Sequence, residues 1–242
     1  MERHELAVAT MTWARDGEEE RLLRESLPLL AEEGLPTFIT DGGSGAEFVS
    51  FLESFPTFRV LRSDRPGVFP QVKSSLREAG KTGARFILYT EPDKKMFFAG
   101  RLRAFIAAAP AGESDGVTLA SRSDESFATF PSFQRYTETV INRLCAEVTG
   151  ATGDYTYGPF LLSRGLLARL DALEDNIAWG WRPYLFGAAA RLGRQLRHWV
   201  DELPCPPEQR EDDPRERIYR MRQLAQSVEG LVLSTAVTAE RA

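Results

Sequence analysis

Short apolar runs alternate with longer amphipathic segments along the first part of the chain. The runs cover residues 6–12, 35–40, 58–61 and 86–90 and are rich in β-favouring residues. Between them, leucine, phenylalanine and valine recur at helical spacing, as in Leu23, Leu27 and Leu30. Strand and helix in this alternation are typical of parallel βαβ units with right-handed crossovers. We therefore predict an α/β fold, a Rossmann-like and mostly parallel sheet flanked by helices.

The pattern continues less regularly in the second half. A polar break covers 110–116. Apolar spacing predicts helices at 97–108, 132–148, 164–173 and 179–192, and strands at 117–120, 155–162 and 195–200. We predict one domain over 1–203, made of a first half, 1–110, and a second half, 111–203.

The last segment, 204–242, has a different pattern. A proline-rich stop at 204–207 precedes a mixed-charge run over 208–217. Apolar residues then recur at helical spacing: Ile218, Met221, Leu224, Ala225 and Val228. This tail is predicted to be an amphipathic helix that packs on the body of the protein or on a second subunit, making a homo-oligomer.

Composition narrows the class of protein. Hydrophobic residues make up 43% of the 242 residues and charged residues 27%, as in soluble globular proteins. A net charge of −5 argues against a nucleic-acid binder, and no apolar run reaches the roughly 20 residues that span a bilayer. The first residues lack the order of a signal peptide, and Cys145 and Cys205 match no metal spacing. We expect a cytoplasmic protein with free thiols. With only His4 and His198, a histidine triad or multi-histidine zinc site is not expected.

An acid pair follows the fourth apolar run directly. The strand predicted over 86–90 leads into Glu91, Pro92 and Asp93, and proline cannot continue a ladder. Ligands of open α/β sheets bind outside the carboxyl ends of the strands. Two carboxylates there suit Mg²⁺ or Mn²⁺, which often carry substrate phosphates. The alternative is that Asp93 only caps the helix beginning near Phe97.

Four loops are expected to converge at the same sheet edge: 13–16, 41–45, 64–67 and 91–93. They bring together carboxylates, glycines and the base Arg65. Glycines allow positive φ and close backbone approach to a ligand. This composition is the one expected of a site for a phosphorylated ligand accompanied by a metal.

From 6 to 200 the sequence resembles the family 2-like glycosyltransferases of GT-A fold. The opening strand and helix (6–12 and 18–23) and Thr40-Asp-Gly-Gly-Ser44 look like the family's first strand and its Asp-(Asp/Gly)-Gly-Ser turn. Glu91-Pro-Asp93 stands where the family has its metal-binding DxD. Further pieces resemble the second half of polyprenyl-phosphate and mannosylglycerate-type sugar transferases: 120–122, Arg135, Asn142, 154–164 and 179–185.

The resemblance implies a metal-dependent glycosyltransferase that moves a hexose from a nucleotide-diphosphate sugar to a small or lipid-phosphate acceptor. Glu91 and Asp93 would hold Mg²⁺ or Mn²⁺. The implied nucleotide-sugar residues are Thr12, Asp41, Gly43, Arg65, Gln71 and Lys73. The implied acceptor residues are Arg122, Arg135, Asp154, Gly158 and Trp181. Glu174 and Asp175 would be the catalytic acids, taking a proton from the acceptor hydroxyl.

Each of these roles has a structural alternative. Asp41 can close an Asx turn, and Trp181 can belong to the core. Arg65 and Lys73 can be solvated surface charges. Arg122 and Arg135 can form structural salt bridges, and Glu174 and Asp175 can cap a helix. His198 can be a structural, hydrogen-bonded histidine rather than a metal ligand.

Two departures from the family pattern keep further functions open. Glu91 replaces the first aspartate of the DxD, and Arg182 stands where related enzymes often have aspartate. A non-catalytic binding or assembly protein therefore fits the sequence as well. A sugar nucleotidyltransferase is a third possibility, although such enzymes carry a glycine-rich basic loop after the first strand, where this chain has Trp13-Ala-Arg-Asp-Gly17.

Overall fold

A computed structural model describes residues 2–63, 65–109, 112, 114–210 and 212–238. Asp64 of the predicted loop 64–67, part of the polar break 110–116 and the end of the tail lie outside the described residues. The chain forms two compact units. Unit 1 comprises Met1–Pro110 with Pro159–Leu167, and unit 2 comprises Ala111–Gly158 with Ala168–Ala242.

The strands are β1 Leu6–Thr12, β2 Thr37–Asp41, β3 Phe58–Arg62, β4 Phe86–Tyr89, β5 Asp115–Arg122, β6 Phe160–Ser163 and β7 Gln195–Asp201. The α-helices are α1 Gly17–Ala31, α2 Ala46–Glu53, α3 Val68–Gly80, α4 Lys95–Gly100, α5 Leu102–Ala108, α6 Asp124–Ala128, α7 Ser132–Thr149, α8 Trp181–Arg191 and α9 Pro214–Ser234. Short 3₁₀ helices cover Arg3–Glu5, Arg164–Ala172, Asp175–Gly180 and Pro207–Gln209.

The strands of unit 1 lie in the order β3-β2-β1-β4-β6. β1 pairs in parallel with β2 and β4, and β2 pairs in parallel with β3, whereas β6 is antiparallel to β4. Thr12 is level with Asp41, and Asp41 with Arg62. The carboxyl ends of these four parallel strands therefore share one edge of the sheet, as the sequence predicts.

The core of unit 1 forms between this sheet and its helices. Val8, Ile39 and Ile87 are fully buried in the strands, and Leu27 and Phe69 are fully buried in α1 and α3. Each such side chain contributes about 1.5–3 kcal/mol of transfer free energy. The apolar stripes predicted from the sequence are thus the surfaces that fix the helices on the sheet.

Unit 2 contains the parallel pair β5–β7 and packs α9 against α7, α8 and the 3₁₀ helix Asp175–Gly180. Two glycines allow a close backbone approach in this packing. A Cβ built on Gly230 would lie 1.9 Å from the carbonyl oxygen of Gly180. Only glycine lets α9 come this near.

The predicted class is confirmed: within each unit the described strand pairs are parallel apart from β4–β6, helices flank them, and a C-terminal helix is present. No described helix has both the length and the apolar character needed to cross a membrane. Cys145 and Cys205 are free and buried, in agreement with the expected thiols.

Several boundaries differ from the prediction. The strand predicted over 155–162 is confined to Phe160–Ser163, because Gly158 has φ +134° and Pro159 follows it. The helix predicted over 97–108 is divided at Arg101, whose φ and ψ are −120° and −25°.

Three further helices begin elsewhere than predicted or were missed. The helix predicted over 179–192 begins at Trp181 after a 3₁₀ segment in which Ala178 has φ 47°. The tail helix already begins at Pro214, because the Asp213 side chain caps it. The short helix α6 lies where the sequence indicated only a loop.

Candidate functional site

Asp41, at the end of β2, organises the loop that follows it. Its Oδ1 accepts hydrogen bonds from the backbone N–H groups of Gly43 (2.9 Å) and Ser44 (2.8 Å). Its Oδ2 accepts from the hydroxyls of Thr12 (3.0 Å) and Ser44 (2.6 Å). The carboxylate thus closes an Asx-type turn, the structural alternative, and joins the ends of β1 and β2. Any contact with a ligand would add to this role.

Two glycines in the same loop, Gly42 and Gly43, let other groups come close to its backbone. Gly43 has φ +123°, a conformation that side chains rarely adopt. A Cβ on Gly42 would lie 2.8 Å from Nε2 of Gln71, so the buried amide of Gln71 packs directly on the loop. Gln71, one of the predicted nucleotide-sugar residues, therefore lies against the loop that Asp41 closes.

Trp13 was not among the predicted site residues. It follows β1 directly, is 50% exposed, and its indole nitrogen is 4.0 Å from the position of a Cβ on Gly43. The Arg15 guanidinium lies 5.8 Å from the centre of its ring. A large aromatic residue at a strand's carboxyl end was the signal available in the sequence.

In the rest of the loop after β1, Asp16 caps helix α1. The Asp16 side chain accepts from the N–H groups of Glu18 and Glu19 at the start of α1. Arg15 forms an ion pair with Glu19. This loop therefore lacks the glycine-rich, basic character expected of a nucleotidyltransferase.

Arg65 and Lys73 differ in their surroundings. Arg65 is exposed in a turn where its N–H bonds the Ser63 hydroxyl at 3.2 Å. The Lys73 ammonium lies 5.4 Å from the centre of the Phe69 ring, within α3. Arg65 can reach a ligand from the loop, whereas Lys73 is half-buried against its own helix.

The acid pair lies beyond the end of β4. The strand ladder extends to Thr90, whose N–H donates to the carbonyl of Ala9 at 3.2 Å. Glu91 and Asp93 therefore follow at the edge that carries Thr12 and Asp41. Both are half-buried, and Glu91 Oε2 and Asp93 Oδ1 are buried atoms. The N-cap residue of α4 is Lys94 rather than Asp93.

Two hard oxygen donors fit Mg²⁺ or Mn²⁺, which typically take one or two protein carboxylates and complete their shell with water and phosphate oxygens. In the described part of the chain, no three His, Cys, Asp or Glu side chains gather as a ready metal site. The Lys94 ammonium lies 3.8 Å from Asp93 Oδ1 and adds a positive charge next to the pair. The donor set therefore fits a metal that arrives with a diphosphate better than one held by protein alone.

Arg122 and Asp154 belong to a buried ion-pair cluster in unit 2. The Arg122 guanidinium donates to Asp154 Oδ2 (2.6 Å), Glu138 Oε2 (2.7 Å) and the Thr156 hydroxyl (2.7 Å). Its side chain is 1% exposed. Phe130 covers the guanidinium, whose central carbon lies 4.3 Å from the centre of the ring. These contacts form the structural salt bridge of the alternative, and they engage the charged groups of both Arg122 and Asp154.

The charges in this cluster reinforce one another. Burial by itself would raise the pKa of the Asp154 carboxyl. The positive charge of Arg122, together with hydrogen bonds from Arg122 and Thr156, instead holds this pKa well below its usual range. Burial would likewise lower the pKa of Arg122, yet Asp154 and Glu138 raise it. Both groups therefore stay ionised. Neither Glu138 nor Thr156 was expected here from the sequence, which gives no signal for long-range partners.

The remaining predicted residues of unit 2 are not equally accessible. Trp181 is completely buried in α8, which favours the core alternative over a contact with an acceptor. Gly158 is also buried, at a positive φ before β6. Arg135 is half-buried on α7, and its Nε donates to the carbonyl of Phe130 at 3.1 Å.

Glu174 and Asp175 stand at the start of a strained segment. Glu174 is exposed and its side chain makes no capping hydrogen bond, although it occupies the N-cap position. Asp175 is half-buried. Three residues on, Ala178 has φ 47° and ψ −123°, and strain of this kind concentrates at functional sites. The catalytic role of the pair stays a prediction.

Arg182 lines a small cavity inside unit 2. It is 9% exposed, and its Nη2 donates to the carbonyl of Tyr155 at 3.2 Å. The cavity has a volume of about 50 Å³, which suits water rather than a sugar. Its wall includes Glu138, Tyr155, Trp179, Arg182, Arg220 and Gln223.

His198 is held by structural contacts. Its Nδ1 is 2.8 Å from the Ser121 hydroxyl, and its ring packs edge-on against Tyr155 with the centroids 4.6 Å apart. Burial lowers its pKa, which the charge of Asp154 and a hydrogen bond to the Asp154 backbone partly offset. These contacts agree with the structural alternative.

No protein-family model matches the sequence, and no curated protein matches it. Solved structures of glucosyl-3-phosphoglycerate synthase from Mycobacterium tuberculosis do resemble the chain. The complex with Mn²⁺, UDP-glucose and phosphoglyceric acid has a TM-score of 0.64 at 16% identity over 97% of this chain and 81% of that chain. The complex with UDP has a TM-score of 0.63 at 14% identity over 94% and 80%. The complex with Mn²⁺, UDP and glucosyl-3-phosphoglycerate has a TM-score of 0.61 at 14% identity over 94% and 80%. The chain therefore has the fold of these structures, the GT-A fold that the sequence resemblance implied.

Proposed function

We propose that this protein is a metal-dependent glycosyltransferase that moves a hexose from a nucleotide-diphosphate sugar to a small acceptor. The observation that carries the proposal is the sheet edge of unit 1. There, Glu91 and Asp93 follow β4, while Thr12 and Asp41 end the adjacent strands of a GT-A fold.

In this proposal the loops of unit 1 bind the donor. The Asp41 turn and Gly43 receive the base and ribose, and the exposed ring of Trp13 offers a surface on which a base can stack. Gln71 supports this loop through its contact with Gly42. Arg65 reaches the phosphates with a bidentate guanidinium, and Lys73 adds a point charge nearby.

Glu91 and Asp93 would hold Mg²⁺ or Mn²⁺ at this edge. The metal would supply neutralising charge to the diphosphate as it leaves. Structures of glucosyl-3-phosphoglycerate synthase contain Mn²⁺ or Mg²⁺ together with UDP, which supports a divalent metal in this fold.

The acceptor residues and catalytic acids that the resemblance implies belong to unit 2. In sugar transfer the bond between the anomeric carbon and the diphosphate oxygen breaks, and the diphosphate keeps the electron pair. A bond from the acceptor oxygen to the same carbon forms, and a carboxylate takes the proton that this hydroxyl loses; by the resemblance, Asp175 or Glu174 would be that base. Arg135, on α7, is suited to an anionic group of the acceptor.

The acceptor class we favour is a small molecule with a phosphate or carboxylate group. Solved neighbours of this fold bind phosphoglyceric acid. A lipid phosphate presents the same phosphate chemistry and is the second arm of the acceptor assay.

A non-catalytic GT-A-like binding protein is the second candidate. It is favoured by the Lys94 ammonium, 3.8 Å from Asp93 Oδ1, because a fixed cation there competes with a metal. The side chain of Glu91, longer than the aspartate of the family's DxD, also favours this candidate. The loop after β1, occupied by the Asp16 cap, argues against a sugar nucleotidyltransferase.

Calorimetric titration with UDP-, GDP- and ADP-sugars, with and without Mn²⁺, tests donor binding. We expect at least one donor to bind, and to bind more tightly with Mn²⁺. The Asp93→Ala variant should lose the metal-dependent part of binding while its circular dichroism stays unchanged. Glu53→Ala, which removes an exposed carboxylate at the end of α2, is the matched control and should bind as the wild type does. No binding of any donor would refute the proposal.

A turnover assay separates the enzyme from the binding protein. The best donor is incubated with phosphoglyceric acid, or with a polyprenyl phosphate in detergent, and release of nucleoside diphosphate is followed. Release that requires acceptor supports transfer. Tight metal-dependent binding without release for either acceptor supports the non-catalytic candidate.

A further inference from the structure

The tail helix α9 buries a different face from the one its sequence predicts. Ser227, Gly230, Leu231 and Ser234 are the buried residues, and they pack within unit 2. Their small side chains bring the backbones of α9 and the preceding elements into contact, as Gly230 does with Gly180. Of the apolar stripe predicted from the sequence, Leu224 is half-buried, whereas Ile218, Met221, Ala225 and Val228 are exposed.

The exposed part of that stripe, together with Val232 one turn further on, faces outward: Ile218 is 48% exposed, Met221 50%, Val228 39% and Val232 63%. We call Ile218, Met221, Ala225, Val228 and Val232 the apolar seam. Its members are spaced alternately by three and four residues, the a/d repeat of a coiled coil. A second helix is the surface that this repeat fits.

The charges beside the seam favour a second copy of the same helix. Arg222 and Glu229 are exposed, lie seven residues apart, and flank the seam on the same side. If two α9 helices pair antiparallel, Arg222 of each copy faces Glu229 of the other, giving two ion pairs. If they pair in parallel, Arg222 of one copy approaches Arg217 of the other, which pairs with its own Asp212 and offers Arg222 no opposite charge. The charges beside the seam therefore favour the antiparallel arrangement.

We propose that α9 pairs antiparallel with α9 of a second copy through the apolar seam, making a two-fold symmetric dimer. In this arrangement Val228 of one copy packs on Ala225 of the other, and Met221 packs on Val232. A two-fold interface of this kind uses the same patch on both subunits. The inference concerns the described surface of unit 2 and is independent of the sugar-transfer proposal.

Sedimentation velocity of the full chain over a wide concentration range gives the first test. The wild type is expected to sediment as a dimer that dissociates on dilution. Val228→Asp places a charge in the seam and is expected to weaken the dimer at least about tenfold. Val200→Asp is the matched control, since Val200 is 60% exposed on β7, away from α9. A wild type that is monomeric throughout, or a V228D dimer as tight as wild type, would overturn the proposal.

Charge exchange tests the orientation. Arg222→Glu alone should weaken the dimer, because two carboxylates then face each other, and adding Glu229→Arg should restore it. Circular dichroism verifies that each variant keeps its helix content. If the double variant stays as weak as the single one, the antiparallel pairing is wrong.

Crosslinking gives an independent reading of the same arrangement. Ala225→Cys lies near the two-fold axis and should crosslink to itself with a short thiol-reactive reagent, while Ile218→Cys should not. Cys145 and Cys205 are buried and leave little background. Equal crosslinking at both positions would indicate parallel helices and overturn the proposal.

Discussion

Among single residues, Arg122 is a charged side chain buried between two carboxylates. Its guanidinium is 1% exposed and faces the carboxylates of Asp154 and Glu138, which are also buried. Removing one partner of a buried ion pair leaves the other charge without compensation, which costs more than the pair itself contributes. Arg122 therefore determines whether unit 2 can keep these two acids in its interior.

We predict that Arg122→Met lowers the free energy of unfolding by about 3–5 kcal/mol, because Asp154 and Glu138 lose their counter-charge. Urea denaturation measures the change. Arg143→Met, at an exposed position on α7, is the control and should stay within about 0.5 kcal/mol of the wild type. A loss below about 1 kcal/mol in R122M would mean that the cluster is not the anchor described here.

His198 gives unit 2 a pH dependence. Burial lowers its pKa in the folded protein, so below the ordinary value of 6.5 the unfolded chain binds a proton that the folded chain resists. The contribution of neutral His198 to the free energy of unfolding is therefore fully present above this pH and is lost as the pH falls below it. We predict that the free energy of unfolding declines from about pH 7 to about pH 5, and that His198→Asn reduces this decline. Identical pH slopes in the two proteins would contradict the prediction.

At the level of elements, the attachment of α9 depends on glycine. A Cβ at Gly230 would lie 1.9 Å from the Gly180 carbonyl oxygen, which belongs to backbone and cannot rotate away. The helix would have to move outward and give up the burial of Leu231 and Ser234.

Gly230→Ala is accordingly predicted to destabilise the protein by about 1–3 kcal/mol, even though alanine favours helix more than glycine does. Differential scanning calorimetry measures the loss. In Gly17→Ala the new Cβ meets nothing within 4 Å at the start of α1, and this control should not be destabilised. Equal stability of the two variants would mean that α9 can shift without cost.

Some helices and strands could be predicted from the sequence and others could not. The strands β1 to β4 were predictable because short apolar runs bounded by polar residues are typical of strands. The shortened β6 and the division between α4 and α5 were not predictable, because the apolar pattern does not specify the φ of +134° at Gly158 or the backbone angles of Arg101.

For the whole molecule, ligand binding should appear as stability. A ligand that binds only the folded state at about 100 times its Kd raises the free energy of unfolding by about 2.7 kcal/mol. If the proposed function holds, UDP with Mn²⁺ raises the melting temperature, and a chelator removes the increase because the phosphates lose their counter-ion. Thermal unfolding with UDP alone, Mn²⁺ alone and both together measures this. An equal shift by UDP with the chelator present would show binding without metal.

The candidate site was predictable to different depths in the two units. Thr12, Asp41, Glu91 and Asp93 could be assigned to one sheet edge because parallel strands bring their carboxyl ends together. The interior of unit 2 could not be predicted in this way. Charged and aromatic residues such as Arg122 and Trp181 resemble ligand contacts in sequence, and only their burial reveals structural roles.

The sequence by itself determined the strand and helix alternation, the parallel class of the sheet and the edge at which its acids gather, because these follow from local patterns of apolar and polar residues. Tertiary contacts decided which face of α9 is buried, that Arg122 forms ion pairs in the interior, and that Asp41 commits its carboxylate to its own loop. These outcomes depend on close backbone approach and on partners far away in sequence, and no local pattern records either.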